Sequence, residues 1–389
     1  MRMHPDPRAL LNACGARHCK ARYIASMDSL TQIALGSALS VAVMGRRTAV
    51  WKAALWGAIG GTLPDLDVVI NHGNPVLNMV RHRAETHSLF YLTLFSPLLA
   101  WMAWLASGRP ALADAIKAPA AAGLIQSQSP RWTWGHVFNR WWLAMFLVLV
   151  THPLLDNMTV YGTQLLMPFT HHPYAVGSIF IIDPIYTLPL IVGTVAALAL
   201  QHQVGLTWNA VGLAFSTAYL AWGMLVQQHV RTIASASLPA PQISEGSLLV
   251  TPTPFNTVLW RVVATTSDTY YEGHYSLFDP EARVRWTAHP RGADLIARYA
   301  EVDAVVHIAA FSQGFFKMQT SGDGRVLLTD LRMGQEPTYS FSFDLGAHSE
   351  VGTAPIRQLA MRPDLAQALP WLWQRLLGRT QEPLATPRF

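Results

Sequence analysis

Six apolar segments lie within the first 230 residues of the chain. They cover residues 30–44, 49–64, 88–106, 141–155, 179–200 and 206–227. A helix needs about 20 residues to cross the hydrocarbon core of a bilayer. The third, fifth and sixth segments meet that length, and the other three are short enough to be tilted, embedded or packed inside a bundle. The pattern predicts an α-helical integral membrane bundle with about 4–6 spanning or embedded helices.

Small residues and prolines add detail to this bundle. The first two segments contain six small residues: Gly36, Ser37, Ser40, Gly57, Gly60 and Gly61. Small side chains allow helix backbones to approach closely in lipid, so close packing is expected there. Pro184 and Pro189 interrupt the start of the fifth segment, which predicts a kinked or unwound end.

The pattern changes after Arg231. Residues 233–247 contain the stretch ASASLPAPQISEG, which is rich in Ser, Pro and Ala and is typical of a linker. The chain from 248 onward has short runs of β-branched and aromatic residues, a hairpin turn signal at Asp323-Gly324, and two helical stretches.

These changes of texture predict the domain organisation. A helical membrane domain at 27–232 is followed by the linker and by a small soluble α+β domain at 248–389. Residues 1–26 differ in composition from the regular apolar pattern that begins at Met27, and we interpret them as a disordered extension or the product of an upstream start.

Composition supports a membrane protein with a soluble part. The 389 residues are 51% hydrophobic and 13% charged, against about 25% charged in a typical soluble protein. The net charge of +5 comes from scattered Lys and Arg residues, which favours loop charges near anionic lipid over nucleic-acid binding. Cys14 and Cys19, the two cysteines, offer no disulfide framework or thiolate metal site for the fold.

Loop charges predict the orientation in the membrane. The connections between segments one and two and between three and four carry Lys and Arg, whereas 156–178 carries neither. The positive-inside rule places the first two in the cytoplasm and the third outside. With six spans, 65–87 and the C-terminal domain also lie on the outer, periplasmic side, although Arg81 and Arg83 oppose this orientation.

Residues of metal-binding type lie at the ends of four apolar segments. They are Asp65 and Asp67 after the second, His82 and His87 before the third, His152 and Asp156 at the end of the fourth, and Asp183 at the start of the fifth. His152 and Asp156 are one turn apart if the helix continues through Pro153. If the segments alternate in direction, all four groups converge on the outer side of the membrane.

Each group also has a structural explanation on its own. A Pro-Asp pair at a helix end is usually a cap or a turn, the histidines could lie at the membrane interface, and an Asp could pair with Arg83. Convergence favours a metal site instead, with zinc first and manganese or iron as alternatives for mixed carboxylate and imidazole ligands. Arg83 is then a candidate clamp for an anionic substrate oxygen, and Glu85 is a candidate general base or a solvated charge.

Several motifs together resemble the YdjM-like family of bacterial inner-membrane metal-dependent hydrolases. They are MDSLTQIALGSAL at 27–39, GTLPDLD at 61–67, HRAETHSL at 82–89, HPLLDNMTVYGTQLLMPF at 152–169 and FIIDP at 180–184. The resemblance implies a multi-pass inner-membrane protein with metal or active-site positions at Asp65, Asp67, His82, His87, His152 and Asp156, and with Asp28 near them. Family members often have His where this chain has Gln32.

The leading interpretation is a membrane-bound hydrolase that uses a metal-activated water at the outer membrane face. Its substrate would be anionic or lipid-linked, phosphoesters included, and membrane lipid would surround it. The alternative is a non-enzymatic membrane protein whose C-terminal domain binds a protein partner. A transporter with an acidic proton path is disfavoured, because the acids lie at segment ends and not near the midplane.

Overall fold

The computed structural model describes residues 29–107, 134–200, 202–240, 243–359 and 364–381. Asp28 and the predicted extension at 1–26 lie outside the described residues. The described residues divide into two compact units. Unit 1 comprises the described parts of Met1–Val69, Leu89–His152 and Tyr186–Ser216, and unit 2 those of Ile70–Ser88, Pro153–Ile185 and Thr217–Phe389.

The apolar segments form helices, as predicted. In chain order the helices of this region are α1 (Ser29–Met44), α2 (Val50–Thr62), α3 (Pro75–Arg81), α4 (Leu89–Ala106), α5 (Trp134–Asn157), α6 (Pro184–Leu200) and α7 (Gln203–Ala236). Among the described residues, three helices are long and apolar enough to cross a membrane: α4, the His136–Asn157 part of α5, and α7. The shorter apolar helices α1 and α6 accompany them.

The fourth segment reaches spanning length, whereas the fifth falls short of it. Helix α5 starts at Trp134 because the more polar stretch WGHVFNR continues its backbone hydrogen bonding ahead of the apolar run. Helix α6 has 17 residues and starts at Pro184. Oδ1 of Asp183 accepts a hydrogen bond from the backbone N–H of Ile185 at 2.9 Å. This N-terminal cap, with proline at the first helical position, ends the preceding non-helical stretch.

Helices α1 and α2 pack backbone against backbone, which confirms the expectation from their small residues. A Cβ atom on Gly57 would lie 2.2 Å from the carbonyl oxygen of Gly36, and one on Gly61 would lie 2.4 Å from the carbonyl oxygen of Gln32. Such an approach requires glycine on both helices or glycine against bare backbone. It fixes the C-terminal end of α2 beside α1.

Buried side chains from α1, α2, α4 and α5 form the core of unit 1. Trp141, Met145 and Leu149 of α5 are fully buried in it, together with Leu99 of α4. The same packing holds α5 up to Leu149, one turn before the predicted ligand His152.

Apolar side chains are also exposed along the long helices. They form runs on α4 (Leu94, Leu98, Trp101 and Leu105) and on α7 (Val204, Trp208, Val211, Phe215 and Trp222). Large exposed apolar surfaces are unfavourable in water and are normal for helices surrounded by lipid. The structure thus agrees with a membrane protein.

The C-terminal region is rich in β-sheet, as its sequence pattern predicts. The strands are β1 (Leu248–Pro252), β2 (Leu259–Thr265), β3 (Thr269–Ser276), β4 (Arg285–Pro290), β5 (Phe316–Thr320), β6 (Arg325–Asp330), β7 (Gly334–Gln335), β8 (Thr338–Tyr339), β9 (Ser342–Ala347) and β10 (Arg357–Leu359). Two antiparallel sheets have the orders β1-β2-β3-β4 and β10-β9-β6-β5, and β7 pairs with β8. Three helices accompany them: α8 (Ala293–Arg298), α9 (Asp303–Phe311) and α10 (Leu365–Leu376).

The expected hairpin turn at Asp323-Gly324 connects β5 to β6. The backbone of Gly324 has a φ of 78°, a left-handed conformation that glycine adopts without steric cost.

Two connections between the membrane helices belong to unit 2. Val76 and Met79 of α3 and Tyr161 share a buried cluster with Ile308 and Phe311 of α9. These connections, 70–88 and 153–185, therefore pack with the C-terminal region instead of forming free loops.

Helix α7 continues past the predicted end of the membrane domain at residue 232. It ends at Ala236, and its Ile233 and Ala234 join a buried cluster with Val262 of β2. The first part of the predicted linker is thus helical, because it buries apolar side chains against a sheet.

Candidate metal centre

Asp65 and His152 form the first pair of candidate ligands. Asp65 lies in the 3₁₀ turn Pro64–Val69, which comes after α2. Nε2 of His152, on α5, is 3.4 Å from Oδ1 of Asp65. Nδ1 of His152 is 2.8 Å from the carbonyl oxygen of Gly61. Because a carbonyl oxygen can only accept, Nδ1 carries the proton, which directs Nε2 towards Asp65 in the manner of a metal-bound histidine.

Gln32 contacts the backbone of this candidate ligand. Its Nε2 donates to the carbonyl oxygen of His152 at 3.2 Å, and the side chain is buried. Gln32 is therefore adjacent to the site and supports the backbone of His152 through its amide.

His87 and Asp156 form the second pair. Nε2 of His87 is 3.1 Å from Oδ2 of Asp156, and both side chains are buried. Oγ1 of Thr86 lies 3.0 Å from Nδ1 of His87. Both histidines thus present Nε2 to a carboxylate and engage Nδ1 with another oxygen.

Helix α5 contributes one residue to each pair, His152 to the first and Asp156 to the second. It runs without interruption through Pro153 to Asn157, which meets the condition under which the sequence placed both residues on one face. His152 and Asp156 consequently lie one turn apart on the same face.

One atom from each of Asp65, His87, His152 and Asp156 lies within 4.8 Å of the other three. The four atoms are two imidazole nitrogens and two carboxylate oxygens, and all residues except the half-buried Asp65 are buried. Ligand atoms around a four-coordinate zinc ion lie about 3.4 Å apart, given bonds of about 2.0–2.1 Å. The group could therefore hold a metal ion after a small contraction.

Two other predicted ligands lie near these residues but outside the group of four. Asp67 is buried in the same 3₁₀ turn as Asp65. His82 caps the C-terminal end of α3. Its ring meets those of His87 and Tyr161 edge-on, with centroid distances of 6.0 and 5.6 Å.

The remaining candidates have different surroundings. Asp183 is buried, caps α6 and accepts a hydrogen bond from the hydroxyl of Tyr219 at 2.8 Å, so it does not belong to the group of four. Glu85 is exposed in the 3₁₀ turn Glu85–His87. Asp28 lies outside the described residues, and the catalytic roles of Glu85 and Asp28 stay predictions.

Arg83 pairs with one of the candidate ligands, which is the structural alternative that the sequence left open for an Asp at a segment end. Its side chain is 1% exposed, and Nη2 lies 3.2 Å from Oδ1 of Asp156. Nη1 donates to Oγ1 of Thr159 at 3.2 Å, and the guanidinium lies 5.1 Å from the centre of the Tyr161 ring. These contacts hold the Arg83 side chain against Asp156, and its role as a clamp on a substrate oxygen stays a prediction.

The backbone of Arg83 supports this placement. Its φ is 65°, a left-handed conformation that is uncommon for a residue with a side chain. Its carbonyl oxygen accepts a hydrogen bond from the N–H of Gln164 at 3.0 Å. The ion pair and this backbone contact together offset a conformation that costs about 1–2 kcal/mol.

Comparison with known proteins places the four residues inside a recognised sequence family. A family model described as "YdjM inner membrane protein" matches residues 27–230. A protein of Bacillus subtilis (strain 168), described as "Uncharacterized protein YfhP", is 25% identical over 275 residues, which cover 66% of this chain and 72% of that protein. No solved structure matches the chain.

The first prediction concerns metal content. Detergent-purified protein is expected to contain a divalent metal in stoichiometric amount, measured by elemental mass spectrometry. Asp65→Ala, His87→Ala and His152→Ala should each lower metal affinity by more than about tenfold, because even the loss of an outer hydrogen-bond partner costs that much. His136→Ala changes an exposed histidine of α5, the helix that carries His152, and this variant should retain the metal. Full metal content in all three ligand variants would contradict the site.

The second prediction concerns Arg83. Arg83→Lys keeps the charge, but an ammonium group cannot reproduce the two separate contacts with Asp156 and Thr159. Metal affinity, measured by competition with a chelator, should fall about 10- to 100-fold. Arg81→Lys, at an exposed position in the same connection, serves as the control. Equal affinities in the two variants would argue against a positioning role.

Proposed function

The chain belongs to the YdjM inner membrane protein family, and from this membership and the site geometry we propose that it is a membrane-bound metal-dependent hydrolase. The observation that carries the proposal is the convergence of Asp65, His87, His152 and Asp156. Zinc is the proposed ion, with manganese or iron as alternatives, because two imidazoles and two carboxylates suit these metals.

The proposed mechanism assigns separate tasks to the ion and to the chain. A divalent ion supplies Lewis acidity and lowers the pKa of water. The carbonyl oxygen of Gly61 holds the His152 ring through Nδ1, and Arg83 holds one oxygen of Asp156. Glu85 is the proposed general base, because it is exposed two residues before His87.

We further propose an anionic, lipid-linked substrate, with phosphoesters as the leading class. The 3₁₀ turn that carries Asp65 buries Asp67, whereas Leu66 and Val69 are 57% and 80% exposed. In a turn that faces water the acids would be outside and the apolar residues inside. The reversed arrangement supports a site that a substrate with acyl chains approaches from the lipid.

The proposed location is the inner membrane, with the site and the C-terminal region on the periplasmic side. Residues 70–88 and 153–185 belong to the same compact unit as the C-terminal region, which agrees with a common side for all three. Arg83 opposed this orientation as a loop charge. Its charge is paired with Asp156 in the interior, so its weight in the positive-inside rule decreases.

A second candidate function is the binding of a protein partner by the C-terminal region, without catalysis. The observation that favours it is the apolar side of α10. Leu365, Leu369, Trp373 and Leu377 follow each other at every fourth position and are all exposed. Exposed apolar patches of this kind often mark interaction surfaces.

The third prediction tests orientation. A reporter fused after Phe389 should be active when it is alkaline phosphatase, which requires the periplasm, and should be dark when it is green fluorescent protein. The physical reason is the Lys- and Arg-free connection at 156–178. The opposite pair of signals would place the C-terminal region in the cytoplasm.

The fourth prediction tests hydrolysis. Purified protein should hydrolyse a chromogenic phosphodiester or a phospholipid, a chelator should abolish the activity, and added divalent metal should restore it. Asp65→Asn removes a ligand charge at nearly constant volume and should lower kcat at least about 100-fold, on the scale of outer-partner losses. Asp294→Asn, on the exposed side of α8, is the matched control.

These measurements also separate the two candidate functions. The hydrolase would be rejected if metal-loaded protein hydrolysed no ester and cells with Asp65→Asn behaved as cells with the wild type do. That result would favour partner binding.

A further inference from the structure

A cavity of about 170 Å³, lined by several charged side chains, lies in the C-terminal part of unit 2. Four elements contribute to its lining: β3 with Glu272 and His274, β4, the turn of the β7–β8 hairpin with Glu336, and α10 with Trp371 and Arg375. All of its lining residues fall between 272 and 381, so the cavity is built without any of the four candidate metal ligands.

Strand β4 and the residue pair before it line the cavity with alternate side chains. Arg283, Arg285, Thr287 and His289 face it, whereas the intervening Val284 is buried in the core of the first sheet. Side chains alternate between the two faces of an extended chain. The register that buries Val284 therefore places both guanidinium groups at the cavity, at the free edge of the sheet.

The acidic residues of the lining are largely neutralised by neighbouring cations. Three ion pairs account for this: Asp279–Arg375, Glu272–Arg261 and Glu336–Lys317, with N···O distances of 2.5, 2.7 and 2.5 Å. Burial by itself raises the pKa of Glu272, but the Arg261 guanidinium holds that pKa below its ordinary value. These three carboxylates are thus already paired with cations of the protein itself.

Two cations of the lining are not committed in this way. Among the residues that the structure describes, Arg283 and Arg285 have no ion-pair partner, although Nη1 of Arg285 donates to Oγ1 of Thr380 at 3.1 Å. Glu281 is the acidic lining residue left after the three ion pairs. The exposed guanidinium groups therefore give the cavity a local excess of positive charge.

Side-chain hydrogen bonds connect two walls of the cavity, helix α10 and strand β3. Arg375 binds both oxygens of Asp279 and also donates to the carbonyl oxygen of His274 at 2.7 Å. Oγ of Ser276 donates to the carbonyl oxygen of Leu376 at 2.5 Å. These contacts attach α10 to β3, and a preformed site loses less conformational entropy on binding than a flexible one.

We propose that this cavity binds a small phosphate-bearing anion through Arg283 and Arg285. Guanidinium groups match the geometry of phosphate oxygens, with two N–H donors for two acceptors. A phosphate monoester carries close to two negative charges at neutral pH, which two arginines balance. The volume is below the roughly 300 Å³ at which pockets for drug-sized ligands begin, so a single headgroup fits. A dissolved phosphate ester and a phospholipid headgroup share this chemistry.

The test uses the full chain in nanodiscs of phosphatidylcholine. Inorganic phosphate is titrated at constant ionic strength, and binding is followed by calorimetry and by the rise in melting temperature. The wild type should bind saturably in the millimolar range or more tightly. The double variant Arg283→Gln with Arg285→Gln should bind at least about tenfold more weakly, because two charge-assisted hydrogen bonds are lost.

A matched double variant controls for the loss of surface charge. Arg298→Gln with Arg357→Gln removes two exposed arginines of the same unit that do not line the cavity, and it should bind as the wild type does. Equal melting temperatures without phosphate establish that all three proteins are folded. If the double variant unfolds, Arg283→Gln alone provides the same comparison.

Two outcomes would overturn the proposal: absence of saturable phosphate binding by the wild type, or equal phosphate affinities in the two double variants. A further arm replaces part of the lipid by phosphatidylglycerol. Suppressed phosphate binding in these nanodiscs identifies a lipid headgroup as the occupant, and unchanged binding identifies a dissolved phosphate ester.

Discussion

Asp156 is a carboxylate held almost entirely out of water at the end of an apolar helix. The residues around it are arranged to offset the cost of burying its charge. An ion taken from water into a protein interior costs several kcal/mol unless it is paired and hydrogen-bonded. Here Arg83 takes one oxygen and His87 faces the other. Arg83 reaches this position through a left-handed backbone conformation. The ion pair with Asp156 therefore helps to offset the cost of this backbone conformation.

The second half of the site depends on backbone contact between helices. Gly36, Gly57 and Gly61 let α1 and α2 approach until one backbone touches the other. This contact places the carbonyl oxygen of Gly61 where it fixes the His152 ring. A tightly packed pair of helices thus acts as the outer support of a candidate ligand, as outer hydrogen bonds do in known metal sites.

The sequence predicted best those features that follow from the type and spacing of side chains. Apolar length predicted the helices, and small residues in the first two segments predicted close packing of helix backbones there. The four-residue spacing predicted one face for His152 and Asp156, provided that the helix continues through Pro153. The sequence could not show that the carbonyl oxygen of Gly61 accepts a hydrogen bond from His152, because every residue has a carbonyl oxygen. It also could not show that Arg83 binds Asp156, since this pairing depends on how 70–88 and 153–185 fold together. Asp183 was grouped with the ligands because of its residue type and its position at the start of an apolar segment, and the structure shows it capping α6 and accepting a hydrogen bond from Tyr219.

The central claim is that two histidines and two aspartates from separate stretches of the chain bind the same ion. X-ray absorption spectroscopy of the purified, metal-loaded protein measures this directly, because it reports the atoms around the metal and their distances. The account predicts the scattering pattern of two imidazole rings, with nitrogen and oxygen neighbours at about 2.0–2.2 Å and no sulfur. A spectrum without imidazole scattering, or with only the oxygen shell of a hydrated ion, would contradict it.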